Sequence, residues 1–197
     1  MFHSDSRLIV GLGNPGRQYS QTRHNAGFLL IDCMLQNSEY ESEFIAENAL
    51  FALYRLHFPF RAFLMKPLTY MNRSGYAVSA FLEEFDLPLG RIAIVYDDLS
   101  LPKTRFKWRP KGSSGGQRGM QNIIDVLGTN EIPRLRLGIG CAESGQDAAD
   151  YVLSSFSDSE IGFFKKLMGK ALDSLVCWSL YGIEKTMSQY NGFELDL

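Results

Sequence analysis

The sequence has few cysteines, no long apolar run and no signal-like beginning, and each shortage narrows the class of protein. Its three cysteines are odd in number and widely spaced, which argues against a disulfide framework and against paired-cysteine metal ligation. We expect Cys33, Cys141 and Cys177 each to be a small buried hydrophobe in a reducing cytosol. No run of about eighteen apolar residues occurs, and MFHSDSRLIV lacks a basic region followed by an apolar one. The sequence therefore predicts a soluble, unexported, cytoplasmic protein.

Net charge is also small, so any surface that binds a polyanion must be local. The formal net charge is −2 and the pI is about 5.9. One segment has the required composition, because no acidic residue lies between Leu99 and Ile124. The basic residues there are Lys103, Arg105, Lys107, Arg109, Lys111 and Arg118. Residues that alternate from 103 to 111 would share one face of a strand, with Phe106 and Trp108 packing inward on the other. An ordinary solvated strand is the alternative, but it does not explain the missing acids.

Hydrophobic periodicity predicts one α/β domain over residues 1–197. A hydrophobic content of 45% is sufficient for a core at this length. The predicted strands are 7–12, 50–56, 61–66, 91–96, 104–109 and 134–139. The predicted helices are 25–36, 77–85, 119–127 and a long C-terminal helix from 157. Ser157 and Glu160 form a candidate capping box at its start, and its apolar stripe is interpreted as core.

Gly11, Gly13 and Gly16 follow the first predicted strand with the spacing of a dinucleotide-binding turn. Pro15 and a polar stretch delay the helix to about residue 25, so no helix N-terminus is aimed at a pyrophosphate. A nucleotide-dependent oxidoreductase is therefore the least favoured function. We interpret the glycines as a tight loop that brings an amide, Asn14, close to the segment containing an imidazole.

That imidazole, His24, is the histidine that we expect to carry chemistry. His3 lies in a predicted tail and His57 in a turn between strands, whereas His24 begins a helix beside the glycine loop. Imidazole ordinarily titrates near neutral pH, as a general base must. A buried strand ends at Asp97 and Asp98, in the position where α/β proteins build sites. The alternatives are a structural histidine and carboxylates that merely end a strand.

Five blocks resemble the bacterial peptidyl-tRNA hydrolase family. They are VGLGNPGRQYSQTRHNAGF, KPLTYMNRSG, YDDLSLP, RPKGSSGGQRG and RLRLGIG, and they occur in the family's order between residues 10 and 140. The resemblance implies a monomeric α/β fold in which helices surround a mixed central β-sheet. It also implies hydrolysis of the ester that joins a peptide to tRNA, with no metal or other cofactor, no membrane and no obligatory protein partner.

The same resemblance assigns roles to matching residues. His24 would be the catalytic base, Asp97 its carboxylate partner and Asn14 a third catalytic residue, with Asp98 in support. The substrate-binding candidates are Asn14, Tyr19, Tyr70, Asn72 and Arg118. The candidates for binding the tRNA acceptor end are Lys107, Arg109, Lys111 and Arg136, followed by Arg134. The structural alternatives are that Asn14 only satisfies turn N–H groups and that Asn72 caps the following helix.

The sequence departs from the family at GGQRG, where the family commonly has Gly-Gly-His-Asn-Gly. Gln117 replaces the histidine, and Arg118 replaces an asparagine that helps to position water. Because arginine has no acceptor, it cannot reproduce the amide. Three explanations stay open: a slower enzyme, an active enzyme in which Arg118 binds phosphate or stabilises negative charge, or an RNA-binding relative that has lost hydrolysis. The glycine-rich loop 111–119 is expected to move when substrate binds.

Overall fold

Seven strands form one sheet in the computed structural model, which describes residues 6–142 and 145–196. The strands are β1 (Arg7–Gly11), β2 (Glu41–Glu47), β3 (Phe51–Phe58), β4 (Ala62–Pro67), β5 (Ile92–Asp98), β6 (Phe106–Arg109) and β7 (Arg134–Gly138). The α-helices are α1 (Ala26–Gln36), α2 (Ser74–Glu84), α3 (Arg118–Leu127), α4 (Ala148–Leu153) and α5 (Asp158–Tyr190). Within the described residues, no helix is long and apolar enough to cross a bilayer.

Parallel strands occupy the middle of this sheet. The strand order is β2-β3-β4-β1-β5-β7-β6. Strands β4, β1, β5 and β7 are mutually parallel, whereas the pairs β2–β3, β3–β4 and β6–β7 are antiparallel. The structure thus confirms the mixed central sheet. The carboxyl ends of the four parallel strands meet at one edge, where open α/β sheets bind their ligands.

Helices cover both faces of the sheet. Along β1, Leu8 and Val10 face a core shared with α2 and α3, whereas Ile9 faces a core shared with α1 and α5. All three side chains are fully buried, and each contributes about 1.5–3 kcal/mol through loss of contact with water. A sheet buried on both faces explains why its inner strands are continuous apolar runs in the sequence.

Most of the predicted elements are confirmed, and the differences have local causes. Strand β2 was not predicted, because its seven residues are all exposed at the sheet edge and show no buried face. Helix α4 was also not predicted and has only six residues. The predicted capping box of Ser157 and Glu160 is present, but α5 is interrupted at Gly182, whose φ is 81°. His3 lies outside the described residues.

The expectation that every cysteine is buried is wrong. Cys177 is buried and Cys33 is half-buried, but Cys141 is exposed. It lies three residues after the end of β7, outside any helix or strand. The residue type alone does not predict burial where the surrounding segment has no hydrophobic periodicity.

Gly27 lets α1 pack closely against the sheet, and the preceding glycine loop (Gly11 to Gly16) does not begin a helix. A Cβ on Gly27 would lie 2.3 Å from Leu12 N and from Val95 O, so only glycine permits this approach of helix to strand. Gly16 has a φ of 111°, a conformation that other residues rarely adopt. Helix α1 begins only at Ala26, after two short 3₁₀ turns. The geometry of a dinucleotide-binding turn is therefore absent from this segment, in agreement with the low rank of that interpretation.

A buried arginine ties the turn that carries His24 to the start of α5. The Arg23 guanidinium lies over the rings of Tyr151 and Phe156, with centroid distances of 4.7 and 4.9 Å. Its Nη2 donates to both carboxylate oxygens of Glu160, at 2.9 and 2.7 Å. Arg23 is 6% exposed. The ion pair therefore holds α5 against the segment that carries the candidate base.

Glu160, the partner of Arg23 in this ion pair, has further hydrogen-bond donors. Its carboxylate also accepts hydrogen bonds from Lys103 and from the backbone N–H of Ser157. Burial disfavours the charged carboxylate, but the hydrogen bonds from Lys103 and Ser157 and the charge of Arg23 outweigh it. Together they lower the pKa of Glu160 to about 2. A carboxyl group whose pKa falls on folding stabilises the folded state above its unfolded pKa, and this stabilisation is lost as the pH falls through the folded value.

Replacement of Glu160 by glutamine should therefore destabilise the fold in a pH-dependent way. We expect Glu160→Gln to lower the free energy of unfolding by roughly 2–3 kcal/mol at pH 7. The deficit should shrink between about pH 4.5 and pH 2, where wild-type Glu160 takes up its proton. Denaturant unfolding at pH 7 and pH 3 measures this difference in the free energy of unfolding between wild type and variant. The control is Glu184→Gln, at an exposed position on the same helix. An equal deficit at both pH values would contradict the assignment.

Candidate active site

Segments that follow three parallel strands surround one cavity of about 830 Å³. The loop after β1 contributes Asn14, the segment after β4 contributes Tyr70 and Asn72, and the end of β5 contributes Asp97. The remaining walls come from His24, from residues 114–118 of the glycine-rich loop and from α4. Six of the catalytic and substrate-binding candidates from the sequence thus line one cavity together with the supporting residue Asp98: Asn14, His24, Tyr70, Asn72, Asp97 and Arg118.

His24 and Asp97 form a hydrogen-bonded pair in this cavity. His24 Nδ1 lies 2.8 Å from Asp97 Oδ2, although the two residues are 73 positions apart in the chain. The Asp97 side chain is 3% exposed and the His24 side chain 12% exposed. An ionised carboxylate can only accept, so Nδ1 carries the hydrogen and Nε2 keeps its lone pair. The imidazole is thereby oriented to accept a proton through Nε2.

Asn25 fixes the separation between the base and the glycine loop. Its Oδ1 accepts a hydrogen bond from Asn14 N at 2.8 Å, and its Nδ2 donates to Asn14 O at 3.0 Å. Asn25 is 2% exposed. Sequence reasoning placed Asn25 beside His24 but gave it no role, because nothing in a sequence indicates which backbone a side-chain amide will bind.

The side chain of Asn14 is partly used by the protein itself. Asn14 Oδ1 accepts a hydrogen bond from Met71 N at 2.8 Å. Because a backbone N–H can only donate, the amide oxygen must face Met71, and Nδ2 is the group that remains for a ligand. The interpretation that Asn14 satisfies an N–H group is therefore correct for its oxygen. Its nitrogen can still donate to a carbonyl oxygen in the cavity.

Asn72 and Tyr70 are available to a ligand. Both are exposed, and both line the cavity. The N-cap position of α2 is occupied by Arg73, with no side-chain capping bond, so the interpretation of Asn72 as a helix cap is wrong. The N–H of Gly75 in the first turn is instead satisfied by Asn122 Oδ1 of α3, at 2.8 Å. Tyr19, by contrast, is half-buried in a 3₁₀ turn and is not among the residues that line the cavity.

The glycine-rich loop reaches the histidine–aspartate pair through Gln117. Gln117 Nε2 lies 3.1 Å from Asp97 Oδ1, and Gln117 Oε1 accepts from Met120 N at 2.7 Å. Gln117 is therefore the N-cap of α3 and a neighbour of the candidate catalytic carboxylate. Arg118, the next residue, is exposed and lines the cavity. The sequence had indicated Gln117 only as a departure from the family pattern.

The predicted two-faced pattern is present only within β6, because Lys103 and Arg105 precede the strand and form ion pairs with Glu160 and Glu194. Phe106 and Trp108 are buried, whereas Lys107 and Arg109 are half-exposed on the opposite face of β6. The indole N–H of Trp108 donates to Ser174 Oγ of α5 at 2.9 Å, which anchors the apolar face. Neither Lys107 nor Arg109 forms an ion pair with another described residue.

Arg136 and Arg134 have different environments on neighbouring β7. Arg136 donates through Nε to Asp98 and through Nη2 to Ser100 Oγ at 3.1 Å, and its side chain is 22% exposed. Arg134 is 1% exposed, and it donates to the carbonyl oxygens of Ile132 and Asn130. Arg134 therefore stabilises the interior and is not available to a phosphate, which corrects its inclusion among the tRNA-binding candidates.

Lys111, in the loop that follows β6, already forms an ion pair. Lys111 Nζ lies 2.8 Å from Glu131 Oε1, and both side chains are more than 60% exposed. Such a surface pair contributes little and is easily exchanged for another anion. Its hydrogen bond with Glu131 raises the pKa of Lys111. Lys111 can therefore still meet a phosphate.

Together, the fold and the site define a class: α/β proteins with a histidine hydrogen-bonded to a carboxylate at the carboxyl edge of parallel strands. Among the described residues, no group of three or more His, Cys, Asp or Glu side chains could hold a metal ion. The sequence profile of the peptidyl-tRNA hydrolase family matches residues 8–196. The chain belongs to the peptidyl-tRNA hydrolase family.

Individual relatives cover almost the whole chain. A peptidyl-tRNA hydrolase of Syntrophomonas wolfei is 40% identical over 185 residues, which are 94% of this chain and 100% of the relative. One from a Thermotoga species is 43% identical over 189 residues, 95% of this chain and 98% of its own. The crystal structure of peptidyl-tRNA hydrolase from Acinetobacter baumannii is 30% identical, covers 98% of each chain and has a TM-score of 0.87.

Proposed function

We propose that this protein hydrolyses the ester bond between tRNA and a peptide or N-blocked amino acid, recycling tRNA from peptidyl-tRNA released during translation. The observation that carries the proposal is the His24–Asp97 pair in the large cavity of a chain from this family. We place the activity in the cytoplasm, where such substrates arise. We further propose that the protein acts as a monomer and needs no protein partner or cofactor.

His24 is the general base in this proposal. Its Nε2 takes a proton from a water molecule while the water oxygen attacks the ester carbonyl carbon. Asp97 stabilises the imidazolium that results. The proton then passes to the ribose oxygen as the carbon–oxygen bond breaks, which leaves a peptide carboxylic acid and a free ribose hydroxyl. A base of this kind accelerates hydrolysis by about 10²- to 10⁴-fold.

Asn14 supplies a donor for the negative charge that develops on the carbonyl oxygen. Its Oδ1 is held by Met71 N, so its orientation is set before substrate arrives. One well-aimed donor of this kind can contribute about 10²- to 10³-fold. Asn72 and Tyr70, which flank Met71 and line the same cavity, are suited to bind the peptide backbone and side chain. Tyr19 does not line the cavity and has no part in the proposal.

Arg118 supplies a positive charge in the same cavity. Of the three explanations for this departure from the family pattern, an active enzyme is favoured by the intact pair of His24 and Asp97. Arg118 begins α3, where the helix dipole adds to its own charge and favours an anion. We therefore propose that Arg118 binds a phosphate next to the ester.

The tRNA acceptor end lies, in this proposal, along the outward face of β6 and β7. Lys107 and Arg109 offer unpaired charges there, and Arg136 connects this face to Asp98 at the cavity wall. Contacts with phosphates position an RNA without reading its bases. One protein can therefore serve many tRNAs.

Removal of the base should abolish turnover and leave binding intact. We expect His24→Ala to release N-acetylamino acid from N-acetylaminoacyl-tRNA at least about 10²-fold more slowly than wild type. Affinity for uncharged tRNA should not change, because His24 is not one of the proposed phosphate contacts. His57→Ala, on β3, is the matched control. Wild-type turnover by His24→Ala would refute the mechanism, and an inactive wild type would refute the function.

Neutralisation of the basic strand should weaken tRNA binding and reduce its salt dependence. We expect Lys107→Ala combined with Arg109→Ala to lower the slope of log affinity against log salt concentration by about 1–2, because two phosphate contacts are lost. Filter binding across a range of salt concentrations measures this slope. The control is Lys165→Ala combined with Lys166→Ala, two exposed lysines on α5. Equal losses in both double variants would indicate a response to net charge and not to this strand.

Replacement of Arg118 distinguishes its possible roles. If Arg118 binds phosphate, Arg118→Asn should raise KM several-fold and leave kcat within about threefold, because a contact made equally in substrate and transition state is lost. Arg118→Lys should keep KM close to the wild-type value, because lysine retains the positive charge. Steady-state kinetics with N-acetylaminoacyl-tRNA provide the measurement. A higher kcat for Arg118→Asn at unchanged KM would instead show that the arginine impairs the reaction.

A further inference from the structure

Gln117 contacts the catalytic pair through the oxygen of Asp97 that His24 does not use. Asp97 Oδ2 is 2.8 Å from His24 Nδ1, and Asp97 Oδ1 is 3.1 Å from Gln117 Nε2. Gln117 is 8% exposed and Asp97 is 3% exposed. Both carboxylate oxygens are thus hydrogen-bonded, and the plane of the carboxylate is fixed from two sides.

The orientation of the Gln117 amide follows from its other contact. Met120 N can only donate, so the atom that it meets at 2.7 Å must be the amide oxygen. The amide nitrogen therefore faces Asp97 as a donor. A donor at this place meets the carboxylate oxygen that the imidazole does not use.

Close packing leaves this amide little freedom to move. Gln117 Nε2 also lies 3.2 Å from Met71 Sδ. A Cβ on neighbouring Gly119 would come within 2.5 Å of the same sulfur atom and 3.1 Å of Gln117 Oε1. The side chain is therefore held between the turn before α2 and the first turn of α3.

We propose that Gln117 is a positioning residue: its amide orients Asp97 and, through Asp97, the imidazole of His24. This proposal rests on the proposed function and deepens it. It also joins the glycine-rich loop to the pair, because the same residue caps α3 and ends that loop. Movement of the loop would then alter the orientation of the base. Gln117 itself does not touch the reacting atoms.

Two substitutions separate positioning from helix capping. Gln117→Ser keeps an N-cap side chain but is too short to reach Asp97. Gln117→Met fills the same volume but has neither donor nor strong acceptor. If Gln117 positions Asp97, both variants should lower kcat about tenfold or more on N-acetylaminoacyl-tRNA with KM within about twofold. Only Gln117→Met should lose stability, by about 1 kcal/mol from the missing cap.

The outcomes are distinct. Wild-type kcat in Gln117→Ser would show that capping is the whole role and would overturn the proposal. A raised KM with unchanged kcat would also overturn it, because that result assigns Gln117 to substrate binding. An inactive wild type would refute the proposed function but leave the positioning role to be decided by a second measurement.

That second measurement needs no substrate. The ring N–H protons of His24 can be followed by NMR, with assignment from His24→Ala, since the chain has only three histidines. In wild type the Nδ1 proton held by Asp97 should be protected and observable. Gln117→Ser should broaden or shift this signal, whereas Asp125→Ser, at an exposed position further along α3, should not. An unchanged signal in Gln117→Ser would overturn the proposal.

Discussion

The hydrogen bond between His24 Nδ1 and Asp97 Oδ2 is the contact on which the rest of the site depends. It selects the tautomer that leaves Nε2 free, and the burial of Asp97 keeps water from replacing it. Asp97 is held at the end of a strand that is buried along its whole length. His24 is held by its neighbours on both sides, Arg23 through Glu160 and Asn25 through Asn14. These contacts therefore fix the relative position of His24 and Asp97.

The distribution of charge divides the surface into regions with different uses. The protein is slightly acidic overall, with a net charge of −2, yet β6 presents Lys107 and Arg109 on one face. The aromatic residues of the same strand, Phe106 and Trp108, pack under α5 and hold that face outward. In the proposed function, this local basic strip is the surface that meets the end of the RNA, and the acidic remainder of the protein does not attract polyanions.

Elements with strong periodicity were predictable from the sequence, as were the residues at the ends of buried strands. Asp97 could be found because strand ends form sites, and His24 because it follows a glycine loop. The contacts of Gln117, Asn25 and Arg134 could not, because each depends on which distant backbone or side chain the fold brings near. Strand β2 was missed for a related reason, since pairing with β3, and not burial of its own side chains, makes it a strand. The fold was thus more predictable than the polar network.

In the proposed mechanism, Asp97 enables His24 to act as the base. The most direct test is the single-turnover rate of N-acetylaminoacyl-tRNA hydrolysis by Asp97→Asn, measured at saturating enzyme beside wild type. An amide of the same shape can present either a donor or an acceptor and carries no charge to stabilise the imidazolium. We predict that the single-turnover rate falls by about 10²-fold or more while the affinity for tRNA stays unchanged. A wild-type rate in Asp97→Asn would contradict it.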